Sequence, residues 1–302
     1  RRIPAPAGSS SRVICSSNRH PAMLFSIMRP DCHMHTPLCG HAKGEPREYV
    51  DAAQRAGVDL ITFTCHIPMN DPSFGTRSTR MAESDLPRYH EMIRDAAEFG
   101  KELGVEVRFG IEAEVFPDEA IMKRMNETLE AWEFEFVLGS LHHQLSSYHN
   151  RIQTELLADE PAIIKDYFAI LAREVASGRY DSIAHPDLIR IYGTVTPFDP
   201  REYEREIRAF FESAAKHDVC LEVNTSGMIK GVYEMHPDPR IMHWAHEAGC
   251  RFTLGSDSHR PESVGQYFDR ALENLSAAGY REVSFFRNRK REDISIEDTV
   301  VV

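Results

Sequence analysis

The stretch Asp31-Cys32-His33-Met34-His35-Thr36-Pro37-Leu38-Cys39-Gly40-His41 places three histidines at the end of a short extended run. His33 and His35 are two residues apart, and such side chains point to the same face of a strand. Asp257 and His259 repeat this spacing directly after another apolar run. Imidazole and carboxylate groups are ligands that zinc, manganese and iron(II) accept. Paired metal-type ligands at two distant strand ends therefore predict a metalloenzyme.

Short apolar runs alternate with longer amphipathic segments along the chain. We predict strands at 29–33, 58–65, 105–112, 134–139, 181–184, 218–223 and 250–255. We predict helices at 46–56, 85–103, 118–130, 160–177, 200–216, 237–248 and 262–278. Most of these helical segments are followed directly by glycine, the expected helix stop. Seven strand–helix units in succession imply a parallel sheet, either closed as a barrel or doubly wound.

The position of the polar residues favours the barrel. They follow the predicted strands in chain order: His33 and His35, His66, Glu112, His142 and His143, His185, Glu222 and Asn224, and Asp257 and His259. Ligands supplied by all strands to one mouth are typical of a barrel, whereas an open sheet concentrates them at a switch point. We therefore predict an α/β barrel of seven units with a metal centre at the carboxyl ends of its strands.

The size and charge of the chain limit what it can bind. Its 302 residues suffice for one large α/β domain. A formal net charge of −12 argues against a nucleic-acid surface, which needs clustered Lys and Arg. A small anionic substrate remains compatible, because bound metals supply positive charge locally. We expect a single domain over 28–302, with 1–27 a disordered or artefactual extension rich in Arg, Ser and Pro.

The cysteines bear on the cellular compartment. Six cysteines without a Cys-x-x-Cys pair indicate reduced, mostly buried thiols, which favour the cytoplasm. No apolar run approaches the ~20 residues that crossing a bilayer requires, so we expect no membrane partner. The sequence does not indicate how many subunits assemble.

Not every histidine is expected to bind metal, because a lone histidine is usually a surface or hydrogen-bonded residue. We interpret six histidines as surface or hydrogen-bonded residues of this kind: His20, His90, His217, His236, His243 and His246. Glu112 lies on an apolar strand, where an unpaired carboxylate is unfavourable unless a metal or a basic side chain neutralises it. Glu114, two residues further along, is the alternative ligand.

Nine short motifs recur in one known family. They are His-Met-His-Thr-Pro-Leu-Cys-Gly-His at 33–41, Gly-Glu-Pro-Arg-Glu-Tyr-Val at 44–50, Cys-His-Ile-Pro at 65–68, Arg-Met at 80–81, Gly-Ile-Glu-Ala at 110–113, Gly-Ser-Leu-His-His at 139–143, Ala-His-Pro-Asp-Leu-Ile-Arg at 184–190, Glu-Val-Asn-Thr-Ser-Gly at 222–227 and Gly-Ser-Asp-Ser-His at 255–259. With them, the chain from Met28 to about Arg291 resembles the PHP (polymerase and histidinol phosphatase) family of metal-dependent phosphoesterases. Within that family it is similar to the monofunctional histidinol-phosphate phosphatases.

The resemblance implies a distorted seven-unit barrel holding two or three divalent ions, Zn, Mn or Fe. The ligands implied by matching motifs are His33, His35, Glu112 and Asp257 for one metal, Glu112, His142 and His185 for a second, and His41, His66 and His259 for a third. His142 is preferred to His143 because the family pattern is Gly-Ser-x-His.

The resemblance also implies the reaction, hydrolysis of a small phosphate monoester by a metal-bridging hydroxide. L-Histidinol phosphate, an intermediate of histidine biosynthesis, is the expected substrate. The alternatives are another small phosphate or nucleotide, and a non-catalytic metal-binding or interaction module. Arg190 and Arg80 are candidates to contact the phosphate, although each could equally be a solvated loop arginine. The sequence does not identify the general acid.

Two positions depart from the family pattern. The residue before His66 is usually aspartate and here is Cys65, so the support of His66 differs. An arginine often follows Asn-Thr-Ser-Gly in this branch, but here that position is Ile229. Lys230 next to it could act as a point charge but not as a bidentate fork. This second departure affects substrate identity rather than metal binding.

Overall fold

The computed structural model describes residues 28–69, 79–116, 118–143, 145–192, 198–230 and 232–298. Strands β1–β9 span Pro30–Met34, Leu60–Phe63, Glu106–Glu114, Phe136–Ser140, Ser182–Ile183, Cys220–Asn224, Phe252–Gly255, Glu282–Arg287 and Lys290–Ser295. Helices α1–α8 span Pro46–Ala56, Leu86–Leu103, Glu119–Ala131, Ser146–Thr154, Glu160–Glu174, Glu204–Lys216, Pro239–Ala248 and Phe268–Ala277. The extension expected at 1–27 lies outside the described residues.

Helix α1 shows how local sequence sets the bounds of an element. Glu45 and Glu48 form a reciprocal capping box at its start, with Pro46 in the first turn. Both features satisfy or remove backbone donors that the first turn leaves unpaired. Gly57 ends the helix with φ 66°, a left-handed conformation that glycine adopts without a steric penalty. The helix matches its predicted bounds for these reasons.

The strands follow one another in chain order across a single sheet. Neighbours from β1 to β8 pair in parallel, and β9 returns antiparallel to β8. Each parallel step from β1 to β7 passes through at least one helix. This arrangement confirms the predicted α/β fold and brings the carboxyl ends of the strands to one edge.

The sheet curves so that β1 meets the segment that follows β7. Met34 and Ser258 form a parallel bridge, in which the backbone N–H of His35 donates to the carbonyl of Ser258 at 2.9 Å. The buried Asp31 carboxylate accepts the backbone N–H of Ser256 at 2.9 Å. These contacts join the first and seventh strands at the mouth of the barrel, where the predicted ligands lie.

Three elements were not predicted from the sequence. Helix α4 is polar and has no clear apolar stripe, and β8 and β9 form a hairpin after the seventh unit. Phe285 and Phe286 of β8 are buried in a cluster with Cys32, Leu60 and Phe136, so the hairpin belongs to the packed body of the protein. Within the described ranges, no helix is both long enough and apolar enough to cross a membrane.

Candidate metal centre

The two histidines of β1 and its carboxyl end form the first part of the site. His33 and His35 are fully buried, and their Nε2 atoms lie 3.1 Å apart. Asp257 Oδ1 lies 3.6 Å from His33 Nε2 and 3.3 Å from His35 Nε2. Glu112 Oε2 lies 3.7 Å from each of the same two nitrogens. The carboxyl end of β1, strand β3 and the segment after β7 therefore direct four potential ligand atoms to one point.

Glu112 on β3 also faces a second group of histidines. Its Oε1 lies 3.5 Å from His142 Nε2 and 3.4 Å from His185 Nε2. Its Oε2 lies 2.6 Å from His66 Nδ1. The carboxylate thus stands between two sets of imidazoles, the position required of a bridging ligand.

The environment of Glu112 fits divalent cations. Its side chain is fully buried, and imidazole nitrogens face both of its carboxylate oxygens. Burial alone would raise the pKa of Glu112, but the imidazoles of His66, His142 and His33 hold it well below its usual range. A buried anion is strongly unfavourable unless hydrogen bonds or cations compensate it, and divalent metals held by these imidazoles would do so. Ring nitrogens and carboxylate oxygens are the donors that zinc and related ions accept.

His41 and His259 form the outer part of the cluster. Their Nε2 atoms lie 2.8 Å apart, at the entrance to the site. His41 Nδ1 lies 3.0 Å from the carbonyl of Cys39, and His259 Nδ1 lies 3.0 Å from the carbonyl of Asp257. Because each Nδ1 is occupied by a backbone acceptor, each Nε2 is the nitrogen directed into the cluster.

Two glutamates orient the histidines from behind: Glu222, to which the sequence assigned no role, and Glu114, the alternative ligand. Glu222 Oε1 lies 2.7 Å from His33 Nδ1, and its other oxygen accepts the backbone N–H of His185 at 2.9 Å. Glu114 Oε1 lies 2.9 Å from His142 Nδ1. Such carboxylate partners fix the ring orientation of metal ligands. In the sequence, each of these glutamates lies two residues from another polar residue at the end of a predicted strand. This spacing could have identified both of them.

Replacing Glu222 by glutamine is expected to weaken metal binding about 10- to 100-fold, since the carboxylate that orients His33 is lost. Competition with a chromophoric chelator measures this affinity. Glu91→Gln, an exposed change on α2, is the control and should leave affinity unaltered. Equal affinities for Glu222→Gln and the unaltered chain would show that Glu222 does not support the site.

Two of the clustered residues have unusual backbone conformations. His185 has φ 28° and Asp257 has φ 51°, values in the left-handed region that non-glycine residues seldom adopt. Such conformations persist only where the surrounding structure enforces them, and they concentrate at functional sites. The buried hydrogen bond from His185 N–H to Glu222 is one contact that holds this conformation.

The cluster forms part of the lining of a cavity of about 780 Å³. Leu145, Leu188, Ile191 and Ile229 supply an apolar part of its lining. Arg80, Lys230 and Arg260 supply positive charge. The cavity therefore offers cations for an anionic group and apolar surface for an organic one.

The structure separates the two adjacent histidines of the fourth strand end. His142 reaches Glu112, as described above, whereas the ring of His143 packs edge-on against Tyr192 at 5.4 Å between centroids. Burial lowers the pKa of His143 to about 3. This placement supports the preference for His142 as the ligand.

The two arginines predicted to contact phosphate are placed differently. Arg80 lines the cavity, where its guanidinium also pairs with Glu114. Arg190 is buried away from the cavity lining: its Nε lies 2.8 Å from Asp187 Oδ2, and it donates to the carbonyl of Met235 at 2.6 Å. The ion pair is a structural role for Arg190, and its phosphate contact stays a prediction.

The fold and the cluster define a class of protein, a parallel-stranded α/β barrel with a polyhistidine cluster at its mouth whose donors fit divalent metals. The sequence profile of the PHP domain matches residues 31–226, more than half of the chain. The chain therefore belongs to the PHP domain family.

Relatives of known sequence support the same conclusion. A probable histidinol-phosphatase of Deinococcus radiodurans is 34% identical over 273 residues, covering 87% of this chain and 98% of the relative. The histidinol-phosphatase of Bacillus subtilis is 26% identical over 275 residues, covering 82% of this chain and 99% of the relative.

A solved structure shows the same fold. The histidinol phosphate phosphatase of Lactococcus lactis, complexed with zinc, L-histidinol and phosphate, superposes with a TM-score of 0.72. The match covers 87% of this chain and 98% of that one, at 19% sequence identity. At this low sequence identity, the similarity between the two structures shows a shared fold alone.

Proposed function

We propose that this protein is a metal-dependent phosphatase that hydrolyses L-histidinol phosphate to L-histidinol and phosphate in histidine biosynthesis. The observation that carries the proposal is the buried Glu112 carboxylate, faced by imidazoles from several strand ends in the lining of an open cavity. The names of the Deinococcus and Bacillus relatives, which match over nearly their whole lengths, support the substrate.

The proposed metal ligands fall into three sets, and Glu112 is shared by the first two. They are His33, His35, Glu112 and Asp257, then Glu112, His142 and His185, and finally His41, His66 and His259. When bound, divalent metals would neutralise phosphoryl oxygens and activate water as a nucleophile near neutral pH. Two or three such ions would carry more positive charge than Glu112 and Asp257 remove.

The residues of the chain itself would bind and orient the substrate. Lys230 lies at the cavity with its Nζ 2.9 Å from Asp257 Oδ2, which places a cation beside the cluster. Ile229, where the branch often has arginine, lines the cavity with 59% of its surface exposed. We propose that Lys230 and Arg80 attract the phosphate while the apolar lining contacts the organic part. Since phosphomonoester hydrolysis is very slow without catalysis, positioning and charge must provide most of the acceleration.

Replacing Lys230 by glutamine is expected to raise KM for a phosphate monoester up to about tenfold, equivalent to about 1.4 kcal/mol. The value of kcat should change less, because Lys230 is partly exposed and contacts Asp257 Oδ2, whereas Asp257 Oδ1 faces His33 and His35. Initial-rate measurements of phosphate release separate the two constants. Lys101→Gln, which removes an exposed lysine of α2, is the control. An unaltered KM for Lys230→Gln would exclude the proposed contact.

A panel of substrates tests the proposed activity. The metal-loaded protein is expected to turn over histidinol phosphate with a higher kcat/KM than p-nitrophenyl phosphate or a nucleotide monophosphate. Equal or lower turnover of histidinol phosphate would favour the alternative, a PHP phosphoesterase for another small phosphate. Absence of turnover with every substrate, in a protein carrying fewer than two metal equivalents, would favour a non-catalytic module.

The thiols fit a reducing compartment, and we propose the cytoplasm. The five cysteines of the described residues are all free and buried: Cys32, Cys39, Cys65, Cys220 and Cys250. Structural disulfides are typical of oxidising compartments, whereas reduced thiols predominate in the cytoplasm. The net charge of −12 supports a small phosphorylated substrate rather than nucleic acid as the partner.

A further inference from the structure

The three cationic side chains that line the cavity differ in their partners. Arg80 pairs with the carboxylate of Glu114, and Lys230 Nζ lies 2.9 Å from Asp257 Oδ2. Arg260 is exposed, and within the part of the chain that the structure describes its guanidinium makes no hydrogen bond or ion pair. Arg260 therefore brings the positive charge of this cavity that is not already paired with a carboxylate.

The backbone at Arg260 is held beside the outer histidines of the cluster. Arg260 directly follows His259 and precedes a short 3-10 helix over Pro261–Ser263. The carbonyl of His259 accepts the backbone N–H of Lys43 at 2.9 Å, and the carbonyl of Arg260 accepts that of Ser263 at 3.0 Å. These hydrogen bonds fix the point from which the arginine side chain extends at the exposed edge of the cavity.

Close packing of two loops adds to this support. Gly44 has φ 86°, and a Cβ atom built on it would lie 2.6 Å from Pro261 Cγ. Only glycine adopts this left-handed conformation freely, and the contact leaves no room for a side chain. The loop that carries Arg260 is thus braced against the loop that follows His41. A braced backbone reduces the ordering that ligand binding would otherwise require.

The chemistry of the arginine side chain suits a phosphate group. A guanidinium presents five N–H donors in a rigid fork that can engage two phosphate oxygens at once. Lys230 supplies a point charge without such a fork, and Ile229, where arginine often stands in this branch, supplies neither. The fork of Arg80 already engages Glu114, so the uncommitted fork of the cavity belongs to Arg260.

We infer that Arg260 binds the phosphate group of the substrate through its guanidinium fork. The inference rests on the proposed phosphatase function and adds a residue to the same site. Arg260 acts by binding alone, since none of its own bonds forms or breaks during hydrolysis. The competing interpretation is an arginine that stays solvated at the edge of the cavity, in which case phosphate affinity would not depend on it.

Binding of inorganic phosphate to the metal-loaded protein, measured by calorimetry, tests the contact without turnover. Arg260→Gln is expected to weaken this binding about tenfold, as expected for loss of a hydrogen bond to a charged group, with unaltered metal content. Arg260→Lys should recover only part of the affinity, because it keeps the charge but not the fork. Arg94→Gln, a change at an exposed arginine of α2, is the control and should bind phosphate as the unaltered chain does.

Two results of the calorimetry would overturn the inference. One is equal phosphate affinity for Arg260→Gln and the unaltered chain, and the other is full affinity in Arg260→Lys. Absence of phosphate binding by the metal-loaded unaltered chain would overturn both the inference and the proposed function.

Initial rates with histidinol phosphate separate the inference from the proposed function. Arg260→Gln should raise KM about as much as it weakens phosphate binding, with a smaller change in kcat. If histidinol phosphate is the preferred substrate but neither KM nor phosphate affinity depends on Arg260, the inference fails and the function stands. If phosphate binding depends on Arg260 but histidinol phosphate is no better a substrate than p-nitrophenyl phosphate, the function fails and the inference stands.

Discussion

Replacing Glu112 by glutamine is expected to abolish turnover, with a loss of at least about 10³-fold, or about 4 kcal/mol of transition-state stabilisation. Its two oxygens face the histidines of two different metal positions: Oε1 faces His142 and His185, and Oε2 faces His33 and His35. A neutral amide keeps the shape of the side chain but removes the bridging charge. Two metals should therefore be depleted together, and metal analysis beside initial rates measures both effects.

Glu114→Gln is the matched control for this prediction, since it lies on the same strand and is equally buried. It orients His142 from behind, so its replacement should weaken one metal position while the others remain occupied. If Glu112→Gln lost only one metal while Glu114→Gln lost two, the bridging role would belong to Glu114, the alternative that the sequence left open.

Replacing Arg190 by alanine is expected to destabilise the fold by about 3–5 kcal/mol, the usual result of leaving buried charges without their partner. Asp187 and Asp238 are 0% and 5% exposed, and both pair with this guanidinium. His236 Nδ1, 2.5 Å from Asp187 Oδ1, would remain as a weaker partner. Urea unfolding followed by circular dichroism measures the free energy of unfolding.

Arg240→Ala is the control for Arg190→Ala because Arg240 pairs with the same Asp238 from the surface. Its side chain is 56% exposed, so its loss should cost less than about 1 kcal/mol. An Arg190→Ala protein that unfolds at the same urea concentration as the unaltered chain but has a raised KM would contradict the structural role. That outcome would support the phosphate contact predicted from the sequence.

The barrel could be predicted because polar residues recur where apolar runs end. Gly57, Gly104 and Gly249 end their helices in left-handed conformations, which explains the agreement of those helix ends. Helix α4 lacked such signals, and its Leu145 N-cap makes no side-chain hydrogen bond. The β8–β9 hairpin is stabilised by burial of Phe285 and Phe286, which depends on strands distant in sequence.

The candidate ligands could be named from motifs, but their supporting partners could not. The pairing of Glu222 with His33 joins residues 189 positions apart, so only the fold reveals it. The ion pairs of Arg190 with Asp187 and Asp238 are a further case, because the sequence does not distinguish an arginine near a phosphate site from one within a buried ion pair.

Phosphate release from histidinol phosphate, measured as metal is restored to the chelator-treated protein, tests whether the activity depends on the metal centre. The metal-free protein is expected to be inactive. Activity should return as Zn²⁺ or Mn²⁺ is added, reaching its full value only after at least two equivalents are bound. Release of phosphate at an undiminished rate from a protein shown to contain no metal would contradict this dependence.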